Sequence, residues 1–333
     1  MHIVKQNPGR HECESGDQRQ MDFTEQAEES SRSFPDLPRA ITSFGAAVLD
    51  DVAYVYGGHF GKAHHYYSTG QSGNLLQLNL TEVSDWKVVA TGPRLQGLAM
   101  VAHGRYLYRM GGFEARNNED EEQDLWSVAD FVRFDPAAGQ WLELPPMPTA
   151  RSSFDAVVAD GTLYVIGGWN LQGSKDAEWQ DGGYSIDLAV EPLVWKQLPS
   201  VPFQRRALSL GTALGQIIVI GGMQPDGEVT RRTSIYVPAQ QTWSDGPELP
   251  GEKPMEGFGT ACCTLRNRLY VSTSSGNLLR MGKDAKSWKH VHHIDDARFF
   301  HQMLPTRPGC LLLIGGASME KGKYATVNEI CWP

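Results

Sequence analysis

Phe154-Asp-Ala-Val-Val-Ala159, Asp160-Gly161, Thr162-Leu-Tyr-Val-Ile166-Gly167-Gly168 is the stretch on which the fold turns. Two short runs of β-branched and apolar residues flank an Asp-Gly pair. Asp-Gly accepts the positive φ of a two-residue turn, so the stretch reads as a β-hairpin. It ends on two glycines, which free the backbone and allow close approach where strands crowd together.

The ending recurs as Tyr54-Val-Tyr-Gly57-Gly58, Tyr108-Arg109-Met-Gly111-Gly112, Ile218-Val-Ile-Gly221-Gly222 and Leu312-Leu-Ile-Gly315-Gly316. The first glycines (57, 111, 167, 221, 315) step by 54, 56, 54 and 94 residues. The last gap holds a degenerate copy, Leu269-Tyr-Val-Ser-Thr-Ser274, without its glycines. Trp86, Trp141, Trp195, Trp243 and Trp288 follow in phase, and proline-rich links come after them. Phe134, Tyr236 and Met281 stand seven positions before three of these tryptophans.

Six copies at a period near 50 residues, with three markers in register, resemble the kelch repeat over about residues 34–333. The resemblance implies an all-β chain, a six-bladed β-propeller with one four-stranded blade per repeat. One blade cannot bury both faces, so each needs neighbours, and the tryptophans supply large apolar area between them. The last copy stops where a fourth strand would begin, and Ser33-Phe-Pro-Asp-Leu-Pro-Arg39 resembles the end of one. An N-terminal strand before Pro35 is therefore expected to complete the last blade and remove the free edges. The propeller takes residues 31–333, and residues 1–30, rich in Glu, Gln, Ser and Asp, are expected to be a disordered tail.

Composition excludes several classes. Of 333 residues, 41% are hydrophobic, enough for a large core. Apolar runs reach about five residues where a spanning helix needs about 20, so no membrane segment is expected. The formal charge of −9 is the wrong sign for a nucleic-acid surface. Met1–Ser33 carries no apolar signal core, and five cysteines form no disulfide framework, so a reducing cytoplasm is expected. Cys262 and Cys263 read as small buried apolar side chains on opposite faces of a strand.

In such blades the loop between the second and third strands and the link to the next blade emerge on one face. That face should carry the site. Its loops are long in blades one to three (His59–Gly73, Phe113–Val128, Trp169–Gly183), shorter in blade four and nearly absent in blade five. Arg39, Arg94, Arg151, Arg206 and Arg298 recur where each first strand opens, 15 to 18 residues before the glycines at 57, 111, 167, 221 and 315. Equivalent arginines around one mouth would focus positive potential on carboxylates or phosphates; alternatively they brace the links through carbonyls. The loops add His59, Tyr66, Trp169, Glu178 and Trp179, an aromatic and polar set suited to a sugar or a peptide, or to anchoring the loops. The acidic run Asn117–Asp124 lacks calcium-loop spacing. His290 and His292 share a strand face but have no placed partner, so no metal is assigned.

No G-x-S-x-G elbow, phosphate loop or H-E-x-x-H occurs, and no cofactor is expected. The resemblance implies a non-catalytic propeller that binds a protein segment or an anionic ligand on the long-loop face, with no nucleic acid and no membrane as partner. The second alternative it implies is a mutarotase or epimerase acting on an acidic sugar, with Arg151, Arg206, Glu178 and His59 supplying the carboxylate clamp and the acid or base.

Overall fold

The computed structural model describes residues 31–82 and 84–332. It is built from antiparallel sheets around one axis, each running from an inner strand a to an outer strand d. Blade one comprises Gly45–Leu49, Val52–Tyr56, Asn74–Asn79 and Lys87–Thr91. Blade two comprises Ala99–His103, Tyr106–Met110, Phe131–Asp135 and Gln140–Glu143. Blades three to five repeat the order and start at Asp155, Ser209 and Ala261. Blade six has Gln302–Pro305, Cys310–Ile314 and Val327–Cys331. Inner strands touch in sequence around the ring, and the inner strand of blade six packs on that of blade one.

The hairpin at residues 155–166 forms as read: Ala159 pairs with Thr162, and Asp160 and Gly161 both take positive φ. The three sequence markers meet in space. Phe134 lies opposite Trp141, Tyr236 opposite Trp243 and Met281 opposite Trp288, each a cross-strand pair between strands c and d. Four marker tryptophans also reach the link that opens their own blade. The indole N–H of Trp86, Trp195, Trp243 and Trp288 donates to the carbonyl of Pro35, Pro145, Pro199 and Pro247 respectively.

The core divides into six apolar clusters, each combining residues of two adjacent blades. Its regularity comes from period-two alternation in strand b. Leu163 and Val165 pack toward blade two, whereas Tyr164 and Ile166 pack toward blade four. The glycine pair is sterically required. At Gly167, with φ +79°, an added Cβ would come within 2.5 Å of Leu208 and 2.7 Å of the Arg205 carbonyl.

Among the described residues, ring closure joins both ends of the chain. Ser33 makes a single antiparallel bridge with Asn328. Charge completes the closure: the Arg32 amide and guanidinium both donate to the Glu329 carboxylate, at 2.8 and 3.1 Å, and Arg307 donates at 3.0 Å. Burial alone would raise the pKa of Glu329. The hydrogen bonds from Arg307, Arg32 and Thr306 outweigh it and hold the group at about 2. Phe34 and Leu37 then enter the cluster between blades six and one. The tail expected over residues 1–30 lies outside the described residues.

One expectation needs correction. Cys310 and Cys331 form a disulfide, facing each other across strands b and c of blade six. They are 21 residues apart in sequence, and only strand pairing brings them together. The cysteine-based support for a reducing compartment falls with it. Cys263 is buried, as read, whereas Cys262 is half-buried and its thiol reaches the Leu210 carbonyl. No helix among the described residues is long and apolar enough to cross a membrane.

Candidate functional site

The mouth is organised by a closed belt of backbone hydrogen bonds. Ser43, Gly97, Ser153, Ala207, Gly259 and Phe300 each open a blade, and each has φ between +53° and +63°. The amide of each donates to the carbonyl of its predecessor, and Ser43 closes the circle on Phe300. The residue just before each belt position pairs with the residue just after the glycine pair in five blades. Thr42 pairs with His59, Gln96 with Phe113, Ser152 with Trp169, Arg206 with Met223 and Phe299 with Ala317. His59 and Trp169 thus occupy equivalent places at the rim.

This register separates the five arginines, which are not equivalent. Arg151 and Arg298 stand two residues before the belt and turn inward, 0% and 2% exposed. Arg151 donates to the carbonyls of Gly167 and Gly182, both at 3.1 Å, and lies over Tyr184. Arg298 donates to Gly315 O, Thr326 Oγ1 and Asn328 Oδ1 and lies over Tyr324. The blade-four counterpart is Arg205, which the sequence reading passed over. It is 2% exposed and donates to Gly221 O and Arg232 O. Ile41 and Leu95 hold this place in blades one and two, as residue spacing to the belt requires. Three buried arginines therefore tie links to strands b and c. Arg39 and Arg94 are exposed, with Arg39 stacked on Phe60 at 4.6 Å.

Arg206 is different. One step along extended backbone from Arg205, it faces the mouth, its guanidinium 4.1 Å from the Trp169 ring and 5.7 Å from that of Trp179. The two indoles meet edge to face at 5.5 Å across a short hairpin. Burial raises the pKa of Tyr66, and the charge of Arg206 lowers it in part. Tyr66 contacts His59 at 5.0 Å and Phe113 at 5.7 Å. Burial pushes His59 down to about 4, helped by Lys323, so its imidazole is neutral at pH 7. Lys323, from blade six, donates to the Gly61 carbonyl beside it. Two groups stand on this face, the His59–Tyr66 pair of blade one and the Arg206–Trp169–Trp179 cluster of blades three and four. Three of their buried nitrogens, His59 Nε2, Trp169 Nε1 and Arg206 Nε, have no hydrogen-bond partner among the described residues.

Glu178 lies exposed at the rim, within 3.5 Å of the Asn170 and Gln172 amides. The acidic loop of blade two serves as a buttress. Asn117 donates to Tyr66 O, its carbonyl receives the Ser68 amide, and Glu121 caps Asn118. His290 and His292 lie on the outer strand of blade five.

Beneath the belt a narrow channel of about 90 Å³ is lined by Asp155, Ser209, Thr260, Cys262, His301 and Gln302 among others. Its polar side chains satisfy free edges of inner strands. Asp155 accepts from the Leu210 amide of the next blade at 2.7 Å, and Gln302 donates to Phe44 O. Crowding by protein raises Asp155 to about 7, against the pull of the Leu210 and Ala156 amides. The sequence signal for Asp155 was available: a lone carboxylate inside an apolar inner strand.

No family model matches the chain. It is 25% identical to N-acetylneuraminate epimerase of Haemophilus influenzae strain 86-028NP, over 90% of this chain and 83% of that relative. It is 25% identical to mouse Kelch-like protein 35 and 29% identical to Kelch-like protein terF of Aspergillus terreus. Those two matches cover 69% and 42% of this chain, which spans only 34% and 31% of the relatives. The solved structure of YjhT superposes with a TM-score of 0.69 over 88% of this chain and 95% of its own, at 15% identity.

Proposed function

We propose that this chain, which belongs to the kelch-repeat β-propellers, binds a carboxylate-bearing ligand on its long-loop face without transforming it. The observation that carries this reading is Arg206, half-buried against Trp169 with Trp179 beside it. A guanidinium held against aromatic faces keeps its fork in the plane that suits a carboxylate, and the indoles offer apolar area beside it. Lys323 adds a second cation at the rim. Either a small acidic molecule or an acidic protein segment meets this chemistry, and protein partners accord with the similarity to kelch-like proteins.

The test is thermal unfolding of wild type and Arg206→Ala with N-acetylneuraminate, glucuronate and a blocked tri-glutamate peptide. A ligand at ten times its Kd raises the wild-type midpoint by about 3 °C, and the shift disappears in Arg206→Ala. No shift with any probe, or an equal shift in the variant, overturns the reading.

A second reading rests on the similarity, across 90% of this chain, to a protein named N-acetylneuraminate epimerase. Anomer exchange of an acidic sugar needs one group to take a proton and another to return one. His59, neutral at pH 7, and exposed Glu178 stand on this face. Anomer exchange of N-acetylneuraminate followed by NMR separates the readings. Acceleration by substoichiometric protein, lost in Glu178→Gln, supports catalysis; unaltered exchange despite binding leaves binding alone.

A further inference from the structure

The interface between blades one and two breaks the rule that the other interfaces obey. Two residues before the first glycine of each repeat, strand b carries Val55, Val165, Val219, Val271 and Leu313, all 0–1% exposed. Blade two carries Arg109 there, 3% exposed. Its guanidinium sits 4.9 Å from the Tyr56 ring and 5.6 Å from the Trp141 ring. Nη2 reaches Asp130 at 3.4 Å, whereas the buried Nε and Nη1 have no hydrogen-bond partner among the described residues.

Trp141 is the odd member of its own series. The other four marker indoles donate to a proline carbonyl in the opening link of their blade. In the link that opens blade two, the Pro93 carbonyl accepts instead from the Tyr56 hydroxyl, at 2.7 Å. Burial holds that hydroxyl neutral, with its pKa pushed up to about 12. The Trp141 N–H is left buried with no partner. All three rings or chains line one cavity of about 550 Å³, together with Pro93, Asp130, Glu143 and Pro146. That volume falls within the range of small-molecule pockets.

Buried donors without acceptors are costly, by about 1–3 kcal/mol each, and Arg109 and Trp141, which line this cavity, carry three of them, so the complement they favour is rich in acceptors and free of donors. We infer that the cavity between blades one and two, walled by Arg109, Tyr56 and Trp141, is a second ligand site that takes a carboxylate, separate from the mouth. The local acids do not cancel this preference. Glu143 is exposed and screened by solvent, and Asp130 engages only Nη2 from a side chain that is 44% exposed. The buried guanidinium keeps its field. The carboxylate comes either from a free aromatic acid, whose ring fits the Tyr56 and Trp141 faces, or from an acidic side chain of a partner.

Thermal unfolding with sodium benzoate, benzamide and the blocked peptide acetyl-Ala-Glu-Ala-amide tests this. Benzoate at ten times its Kd is expected to raise the wild-type midpoint by about 3 °C, with benzamide inert. The shift is lost in Arg109→Val, which restores the residue of the other blades. It is lost also in Arg109→Met, which keeps a stem between the two rings should the valine variant fold poorly. Trp141→Phe weakens binding several-fold, and Arg206→Ala leaves the shift intact, which separates this site from the mouth. A shift with benzoate supports a free acid, and one with the peptide alone supports a partner's side chain. The inference is overturned if neither carboxylate shifts the midpoint at 50-fold excess over protein in the millimolar range. It is equally overturned if benzamide matches benzoate, or if the shift survives in Arg109→Met.

Discussion

Arg151 and Arg206 lie one repeat apart, and each stands where a blade opens, yet they do opposite work. Arg151 is wholly enclosed and donates to two backbone carbonyls across its blade. Arg206 lies against Trp169 at the mouth. The difference is one residue of register. Successive side chains of extended backbone point to opposite faces, so a shift of one position carries an arginine from the interior to the rim. The interior side chain at the blade-four opening is Arg205.

The largest effect should come from the interior set. Arg151→Met and Arg205→Met each leave buried carbonyls without a donor and are expected to lose about 3 kcal/mol of stability in urea unfolding. Losses below about 1 kcal/mol would mean that the buried arginines fill space rather than brace the links. Next comes ring closure. Glu329→Gln removes a carboxylate that gathers Arg32 and Arg307, and the cost is expected to be on the order of 3 kcal/mol at pH 7. Folding lowers the pKa of Glu329 to about 2, so its contribution is full above the unfolded value near 4.5 and is lost as pH falls toward 2. The variant should show a flatter profile across that window.

The histidines act over a neighbouring range. Folding lowers His59 to about 4 and buried His301 to about 3, so the unfolded chain takes protons more readily from pH 6.5 downward. Stability should decline over that range, and His301→Gln should remove part of the slope if its hydrogen bond to Ser272 survives. A profile unchanged by the substitution would refute this assignment. The smallest effect belongs to the rim. Arg206→Ala is expected to change stability by only about 0.5–1 kcal/mol, the size of a partly exposed cation–π contact, while abolishing the ligand-dependent shift. A loss as large as that of Arg151→Met would erase the distinction between the two arginines.

The sequence showed that arginines recur and that aromatics fill the long loops. It did not separate arginines by face, because spacing to the glycines varies by a residue or two where links differ in length. Nor did it reveal Lys323, which reaches the Gly61 loop from the far end of the chain. The Arg109 site was harder still. Its signal, an arginine among valines, was visible in the repeats, but the unpartnered Trp141 donor shows only in the folded packing of the link.

What the chain determines by local chemistry is the blade and its count. Glycine pairs, Asp-Gly turns and paired aromatics act within a few residues or across one hairpin, and six copies of a unit that cannot bury its own faces must stack. What tertiary structure alone decided was which polar groups are used up and which are left open. The Cys310–Cys331 bond, the Glu329 ion cluster and the inward arginines join residues distant in sequence, and the unmatched donors of blade two are left by the same packing. Hydrogen bonds and charges act over a few ångströms, so their partners exist only once the ring has closed.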